Sequence, residues 1–308
     1  SSQSRGLGDV YKRQAICFST SSYFYLLGIS LMINYPDINP VAISIPFSGF
    51  WGNSIDIHWY ALAYVVGAYL IYFHMLSTRK KFGINLDNEK VSDLVITYGL
   101  FFGAVIGGRL GHVLFYDFHL QLQDPIYFLK IWEGGMSFHG GLIGVMVAIY
   151  FFAKSNGYKF FQISDWLCVS VPIALFLGRI ANFINAELYG RPTDISWGMI
   201  FPSDPDQLVR HPSQIYEAIL EGFLLFLILN FVIKSKKIGN YSAFFLIGYA
   251  VARFIVEIFK QPDYVWGGEF LLLSFLTQGQ LLSIPMLILG LIILYRNNES
   301  ISRFTEKS

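Results

Sequence analysis

The sequence predicts an all-α protein that crosses a membrane seven times, and three observations lead there. The 308 residues are 54% hydrophobic and 18% aromatic, with only 14% charged, where a soluble domain carries about 25%. Seven segments approach the length of about 20 mostly apolar residues that a spanning helix needs. Lysine and arginine concentrate in every second connection, as they do in loops kept on the cytoplasmic side. The net charge of +1 excludes a bulk basic field for nucleic acid, so any charge logic is local. Cys17 and Cys168 lie far apart, which excludes a disulfide framework and a CxxC metal site; Cys168, inside an apolar run, reads as packing.

Residues 1–14, "SSQSRGLGDVYKRQ", have no apolar period and read as a translated cloning remnant outside the fold. Residues 15–33 are apolar but interrupted by Ser19, Thr20, Ser21 and Ser22. With Lys12 and Arg13 before them they suit a signal-like segment or an added span, and a start at Met32 is the alternative. Residues 1–31 are therefore set apart as an extension, 32–296 form one integral domain, and 297–308 are a cytoplasmic tail.

The spans follow in order. The first, 57–76, opens with His58 and Tyr60; the second, 93–116, ends with Arg109 and, just beyond it, Asp117. The third, 138–153, opens with His139, and the fourth, 165–184, ends in "GRIANFINAELYG", which holds Arg179, Asn182, Asn185, Glu187 and Gly190. The fifth, 213–233, carries Gln214, Glu217 and Glu221; the sixth, 242–259, carries Arg253 and Glu257; the seventh is 280–295. Connections after the odd-numbered spans, with the C-terminal tail, hold twelve lysines and arginines, and the other side holds Lys130, Arg191, Arg210 and Lys260. The domain's N-terminus is thus outside and its C-terminus inside. An added span at 15–33 would begin inside and leave the other seven unchanged.

Once the helix directions are fixed, the polar residues of six helices fall together near the outer surface. Charges inside a bilayer are costly and usually face the bundle interior at a functional site. Arg253 and Glu257, at i,i+4, could equally form a structural pair on one helix face. Gln214, Glu217 and Glu221 form one stripe that either holds helices together or partners the arginines. Arg109, Arg179 and Arg253 present planar forks of donors suited to phosphate, and the anion native to that depth is a lipid phosphate. Asn182, Asn185 and Glu187 beside Arg179 suit the hydroxyls of a polyol headgroup, with helix capping the plainer reading for the asparagines. His139, set among glycines, is either a packed residue or a general base. Gly103, Gly107 and Gly111 form a small-xxx-small pattern that permits close helix contact and holds Arg109 in place. There is no G-x-S-x-G, HExxH, intramembrane aspartate pair or P-loop, so an enzyme here takes its nucleophile from its substrate. The alternative from another class is a transporter or lipid-translocating protein with an outer-leaflet anion site, but the inner halves of the spans are largely apolar.

Five ordered stretches carry a family resemblance: "GGRLGHVLFYD", "GGMSFHGGLIGV", "GRIANFINAELYGRPT", "RHPSQIYEAILEG" and "GYAVARFIVEIFKQPD". Over residues 32–295 the chain resembles bacterial prolipoprotein diacylglyceryl transferase. The resemblance implies a multi-pass enzyme of the bacterial inner membrane with its site toward the periplasmic face. Such an enzyme moves the diacylglyceryl group of phosphatidylglycerol to the lipobox cysteine thiol of a preprolipoprotein, forming a thioether and releasing glycerol phosphate, without metal or soluble cofactor. It implies Arg179 as the headgroup-binding arginine with Asn182 and Glu187 as companions, His139 as the histidine of catalysis and Arg253 as a second catalytic arginine. Tyr60, Tyr249, Asn185, Gly190, Arg109, Glu257 and His211 complete the substrate-binding set. The region before residue 57, with "FSGFWGNSIDIHW", is longer than the family pattern.

Overall fold

The computed structural model describes residues 33–49, 52–115, 117–130, 135–262 and 276–305. The expectations for residues 1–31, for the added span and for Cys17 lie outside them, as do residues 132–134 of the "WEGGMSFHGG" stretch.

The protein is mostly helical. In chain order the helices are α1 (Trp59–Thr78), α2 (Asn88–Phe115), α3 (Phe118–Gln123), α4 (Phe138–Ser155), α5 (Phe160–Cys168), α6 (Val171–Ile184), α7 (Ser213–Val232), α8 (Asn240–Val256) and α9 (Gln278–Thr305). Helices α1, α2, α7 and the Gln278–Asn297 part of α9 are long and apolar enough to cross a membrane, and the bent pair α5–α6 makes a fifth candidate. Helices α4 and α8 are apolar but shorter.

The predicted fourth span is broken, with a 46° bend between α5 and α6. Pro172 sits in the first turn of α6, where its missing N–H costs nothing but where it could not continue α5. Asp165 of α5 accepts hydrogen bonds from the backbone N–H of Gly239 (2.6 Å) and of Ser242 (2.7 Å), and from the Ser242 hydroxyl (2.7 Å). A buried carboxylate at the N-terminus of α8 satisfies donors that the helix cannot. It anchors the helix that carries Arg253.

Two antiparallel ribbons amend the all-α expectation: β1 (Val41–Gly49) with β2 (Gly52–His58), and β3 (Met199–Ile200) with β4 (Val209–Arg210). Ile43 faces Ile57 and Ile45 faces Ile55 across the first ribbon. That alternation has a period of two, which a search for long apolar runs passes over. It also moves the start of the first span from residue 57 to Trp59.

Helices α2 and α4 touch backbone to backbone. A Cβ on Gly111 would lie 2.5 Å from the Gly140 Cα, and one on Gly144 would lie 2.4 Å from the Gly103 carbonyl oxygen. The small-xxx-small pattern is thus a helix seam, as read from the sequence. Gly222 of α7 seats against Phe176 of α6 in the same way, with a Cβ there 2.6 Å from the Phe176 Cβ. This brings the Arg179 face of α6 onto the Glu217 and Glu221 face of α7.

Candidate active site

Three helices place five charged side chains in one cluster. Arg179 extends from α6, Glu217 and Glu221 from α7 one turn apart, and Arg253 and Glu257 from α8 one turn apart. Arg179 Nε lies 3.0 Å from Glu217 Oε2, and Arg179 Nη2 donates to Glu221 Oε2 at 3.2 Å. Arg253 Nη1 donates to Glu217 Oε1 at 2.6 Å and to Glu221 Oε1 at 3.5 Å, while its Nη2 lies 2.6 Å from Glu257 Oε1. The i,i+4 pair anticipated on α8 is therefore present, but as one edge of a larger network. Of the two readings of the α7 stripe, Glu217 and Glu221 take the second: they partner the arginines.

The cluster buries its anions completely and leaves its cations slightly accessible. The Glu217 and Glu221 side chains are 0% accessible, whereas Arg179 keeps 19% and Arg253 11%. Glu217 Oε2 is close enough to Arg179 for charge attraction yet has no aligned hydrogen bond. Arginine remains protonated in any protein environment, so the accessible edge is cationic. Tyr249 of α8 is buried within electrostatic reach of both arginines. Gly279 closes the far side, because a Cβ there would fall 2.0 Å from Glu257 Oε1.

One turn beyond Arg179 the chain leaves α6. Asn182 Nδ2 donates to Glu187 Oε1 at 2.7 Å and Asn185 Nδ2 reaches the same oxygen at 3.5 Å. Ala186 (φ 54°) and Leu188 (φ 58°) are left-handed, so the backbone doubles back, and Gln214 Nε2 holds the Glu187 carbonyl at 2.6 Å. Asn185 Oδ1 and Gln214 Oε1 are buried acceptors without a partner among the described residues. An unmatched buried acceptor is costly, and a hydroxyl donor would relieve either one.

Gly190 is a junction between chain segments. Its N–H donates to the His211 carbonyl at 2.8 Å, and a Cβ there would meet the His211 Cβ and the Phe259 carbonyl oxygen at 2.6 Å each. The His211 ring nitrogen Nδ1 lies 3.2 Å from the Tyr216 hydroxyl, and burial pushes this imidazole below its ordinary value. The ribbon beside it is fixed by Asp204, which accepts from Arg210 Nε at 2.6 Å and from its Nη2 at 2.9 Å. That pairing holds the Asp204 carboxyl below the usual range.

The remaining predicted residues have other neighbours. Tyr60, at the start of α1, packs edge-on against Tyr64 at 5.2 Å. His139 stands half-buried in the first turn of α4, on the helix seamed to α2. Arg109 of α2 donates to the carbonyls of Tyr127 (2.9 Å) and Phe128 (3.3 Å). Among the described residues no group of three His, Cys, Asp or Glu side chains is placed to hold a metal ion. Glu217 and Glu221 were read from the sequence as a stripe that holds helices together or partners the arginines, and not as catalytic or substrate-binding residues; the structure brings both onto Arg179 and Arg253.

Residues 49–296 match the family profile described as prolipoprotein diacylglyceryl transferase. Relatives named phosphatidylglycerol–prolipoprotein diacylglyceryl transferase include one from Pseudomonas syringae pv. syringae, 44% identical over 281 residues, covering 88% of this chain and 99% of the relative. One from Legionella pneumophila subsp. pneumophila is 45% identical over 264 residues, 84% of this chain and 97% of the relative. Another, from Acinetobacter baumannii, is 48% identical over 264 residues, 84% of this chain and 93% of the relative.

Proposed function

The chain belongs to the prolipoprotein diacylglyceryl transferase family, and we propose that the Arg179–Arg253 cluster is where it carries out the transfer. It is a membrane transferase that moves the diacylglyceryl group of phosphatidylglycerol to a prolipoprotein. The transport alternative finds no support among these relatives. The observation that carries the assignment is the polarity of the cluster: two arginine side chains from different helices that keep a small accessible fraction, with the Glu217 and Glu221 carboxylates that bridge them fully buried.

In this reading the phosphate of phosphatidylglycerol meets Arg179 and Arg253, and its glycerol headgroup donates to Asn185 Oδ1 and Gln214 Oε1. Asn182, Glu187 and Gly190 shape that pocket, with Tyr249, Tyr60, Glu257 and His211 around it. The acceptor is the lipobox cysteine thiol, whose ordinary pKa near 8.5 leaves little thiolate at neutral pH. His139 takes the thiol proton, the sulfur attacks the glyceryl carbon that bears the phosphate, and the carbon–oxygen bond breaks. A thioether forms and glycerol phosphate leaves. Negative charge grows on the departing phosphate oxygens as the bond breaks, so fixed guanidinium groups stabilise the transition state more than the bound lipid.

Seven spans fit this reading, since four long helices, one bent pair and two shorter apolar helices add to seven. The lysine and arginine asymmetry supports a position for the cluster toward the periplasmic face of the inner membrane. The test is incubation of the purified protein with phosphatidylglycerol and a lipobox peptide, with mass detection of the diacylglyceryl adduct and of released glycerol phosphate. An unmodified peptide under conditions where the protein remains folded overturns the assignment.

A further inference from the structure

Between α2 and α4 the chain runs out along α3, makes a short 3₁₀ turn at Tyr127–Leu129 and returns through residues 135–137. This arm is bound to the end of α2 at several points. Arg109, only 2% exposed, donates from Nη2 to the Tyr127 carbonyl at 2.9 Å, from Nε to the Phe128 carbonyl at 3.3 Å and from Nη1 to the Gly135 carbonyl at 3.5 Å. Its guanidinium also lies over the Tyr127 ring, 4.8 Å from the centroid. The Tyr127 hydroxyl donates to Asp117 at 2.8 Å, and Asp117 is 3.0 Å from His112 Nε2. The Ser137 N–H donates to the Gly108 carbonyl at 2.9 Å.

The last of these segments leads directly into α4 and His139. Gly135 is left-handed (φ 77°) and pressed on the His112 ring, where a Cβ would fall 2.3 Å from Nε2. Two residues later Ser137 caps α4, its hydroxyl accepting from Gly140 N–H at 3.2 Å, and His139 occupies the first turn. Arg109 and the neighbouring Gly108 carbonyl therefore hold both ends of the three residues that set the start of α4. A guanidinium turned toward carbonyl oxygens and an aromatic face is poorly placed to receive a phosphate as well.

We propose that Arg109 is a positioning residue: by clamping the returning arm to α2 it sets the place of His139 for the transfer step. This rests on the reading of His139 as the proton acceptor given above. A lysine keeps the charge but cannot span three carbonyls in a plane, and a misplacement of about 1 Å at a reacting group lowers rate on the order of 100-fold.

The experiment is a double-mutant cycle on the full-length enzyme in detergent, with phosphatidylglycerol and a lipobox peptide. Arg109→Lys is expected to lower kcat about 10- to 100-fold with KM for phosphatidylglycerol changed less than about twofold. In a His139→Gln background the same change is expected to cost nothing further, because the group it positions is gone. A rise in KM with kcat unchanged would make Arg109 a headgroup ligand and overturn the proposal, as would losses that multiply across the cycle. Full activity of His139→Gln alone overturns the His139 reading, and the positioning proposal with it. Wild-type kinetics for Arg109→Lys beside an impaired His139→Gln overturns the positioning proposal and leaves the reading standing. Should Arg109→Lys fail to insert, Tyr127→Phe, which removes the hydroxyl that donates to Asp117, gives the same readout: a smaller fall in kcat supports the clamp and an unchanged kcat counts against it.

Discussion

Glu217 joins Arg253 to Arg179: one carboxylate oxygen lies 2.6 Å from Arg253 Nη1 and the other 3.0 Å from Arg179 Nε. The two guanidinium groups come from different helices and would repel each other in a low-dielectric interior. A carboxylate between them, with Glu221 bridging the same pair, makes their proximity affordable. The network is therefore a means of placing positive charge, more than a source of stability, since buried ion pairs contribute little net energy.

Glu217→Gln is predicted to damage folding and activity together. It keeps the volume but removes a carboxylate that touches both arginines, leaving Glu221 and Glu257 to hold them, and breaking such a pair costs about 3–5 kcal/mol. Thermal melting in detergent should drop by several degrees and transfer activity by at least about 100-fold. A variant with wild-type melting and activity would show that Glu221 and Glu257 suffice to hold the arginines.

Arg179→Lys separates charge from geometry. Lysine retains the positive charge but has one nitrogen to place against both Glu217 and Glu221. Transfer should fall on the order of 100-fold while the protein still inserts and melts within a few degrees of wild type, because lysine keeps a positive charge beside Glu217 and Glu221. Arg179→Ala should lower transfer further. Normal lipidation of a reporter lipoprotein by Arg179→Ala in cells would remove this residue from the site.

Much of this arrangement was legible in the sequence, and the reason is physical. A charge in an apolar run is expensive enough to be conspicuous, so Arg179, Arg253 and Glu257 stood out one by one, and helix direction placed them at a common depth. Their pairing was less legible. Whether Arg253 turns along its own helix to Glu257 or across to Glu217 depends on how α7 and α8 rotate about their axes, which apolar composition does not determine on helices that are hydrophobic nearly all round. The bend at Pro172 was readable from a proline after Ser170, but the apolar run on both sides masked it. The β1–β2 ribbon was missed for a different reason: Ile43, Ile45, Ile55 and Ile57 alternate over short stretches beside a much longer apolar signal. Asp204 and Arg210, six residues apart in a polar connection, gave no periodic pattern by which to pair them.

The seam between α2 and α4 predicts opposite outcomes for adjacent glycines. A Cβ on Gly140 would come 2.5 Å from the Gly107 carbonyl oxygen and 2.6 Å from the Gly111 Cα, whereas one on Gly141 would sit 3.5 Å from its nearest neighbour. Gly140→Ala must push two backbones apart and is predicted to cost about 1–3 kcal/mol, with lower melting and lower activity, since His139 precedes it. Gly141→Ala should be neutral or slightly stabilising by helix propensity, by up to about 1 kcal/mol. Equal melting of the two variants would refute the close approach.

Acid should loosen the β3–β4 connection before it disturbs the helices. Asp204 is 1% exposed and paired with Arg210, and that pairing depresses its carboxyl. A depressed acid contributes stability that is fully present above its unfolded value of about 3.9 and is lost as pH falls through the lower folded value. As pH falls below about 4, the amides of residues 199–210 should therefore lose hydrogen-exchange protection faster than those of α7. Asp204→Asn should abolish most of that pH dependence, at the cost of lower protection at neutral pH, where Arg210 has lost its ionised partner. An equally steep acid response in Asp204→Asn would assign the sensitivity to a different carboxylate.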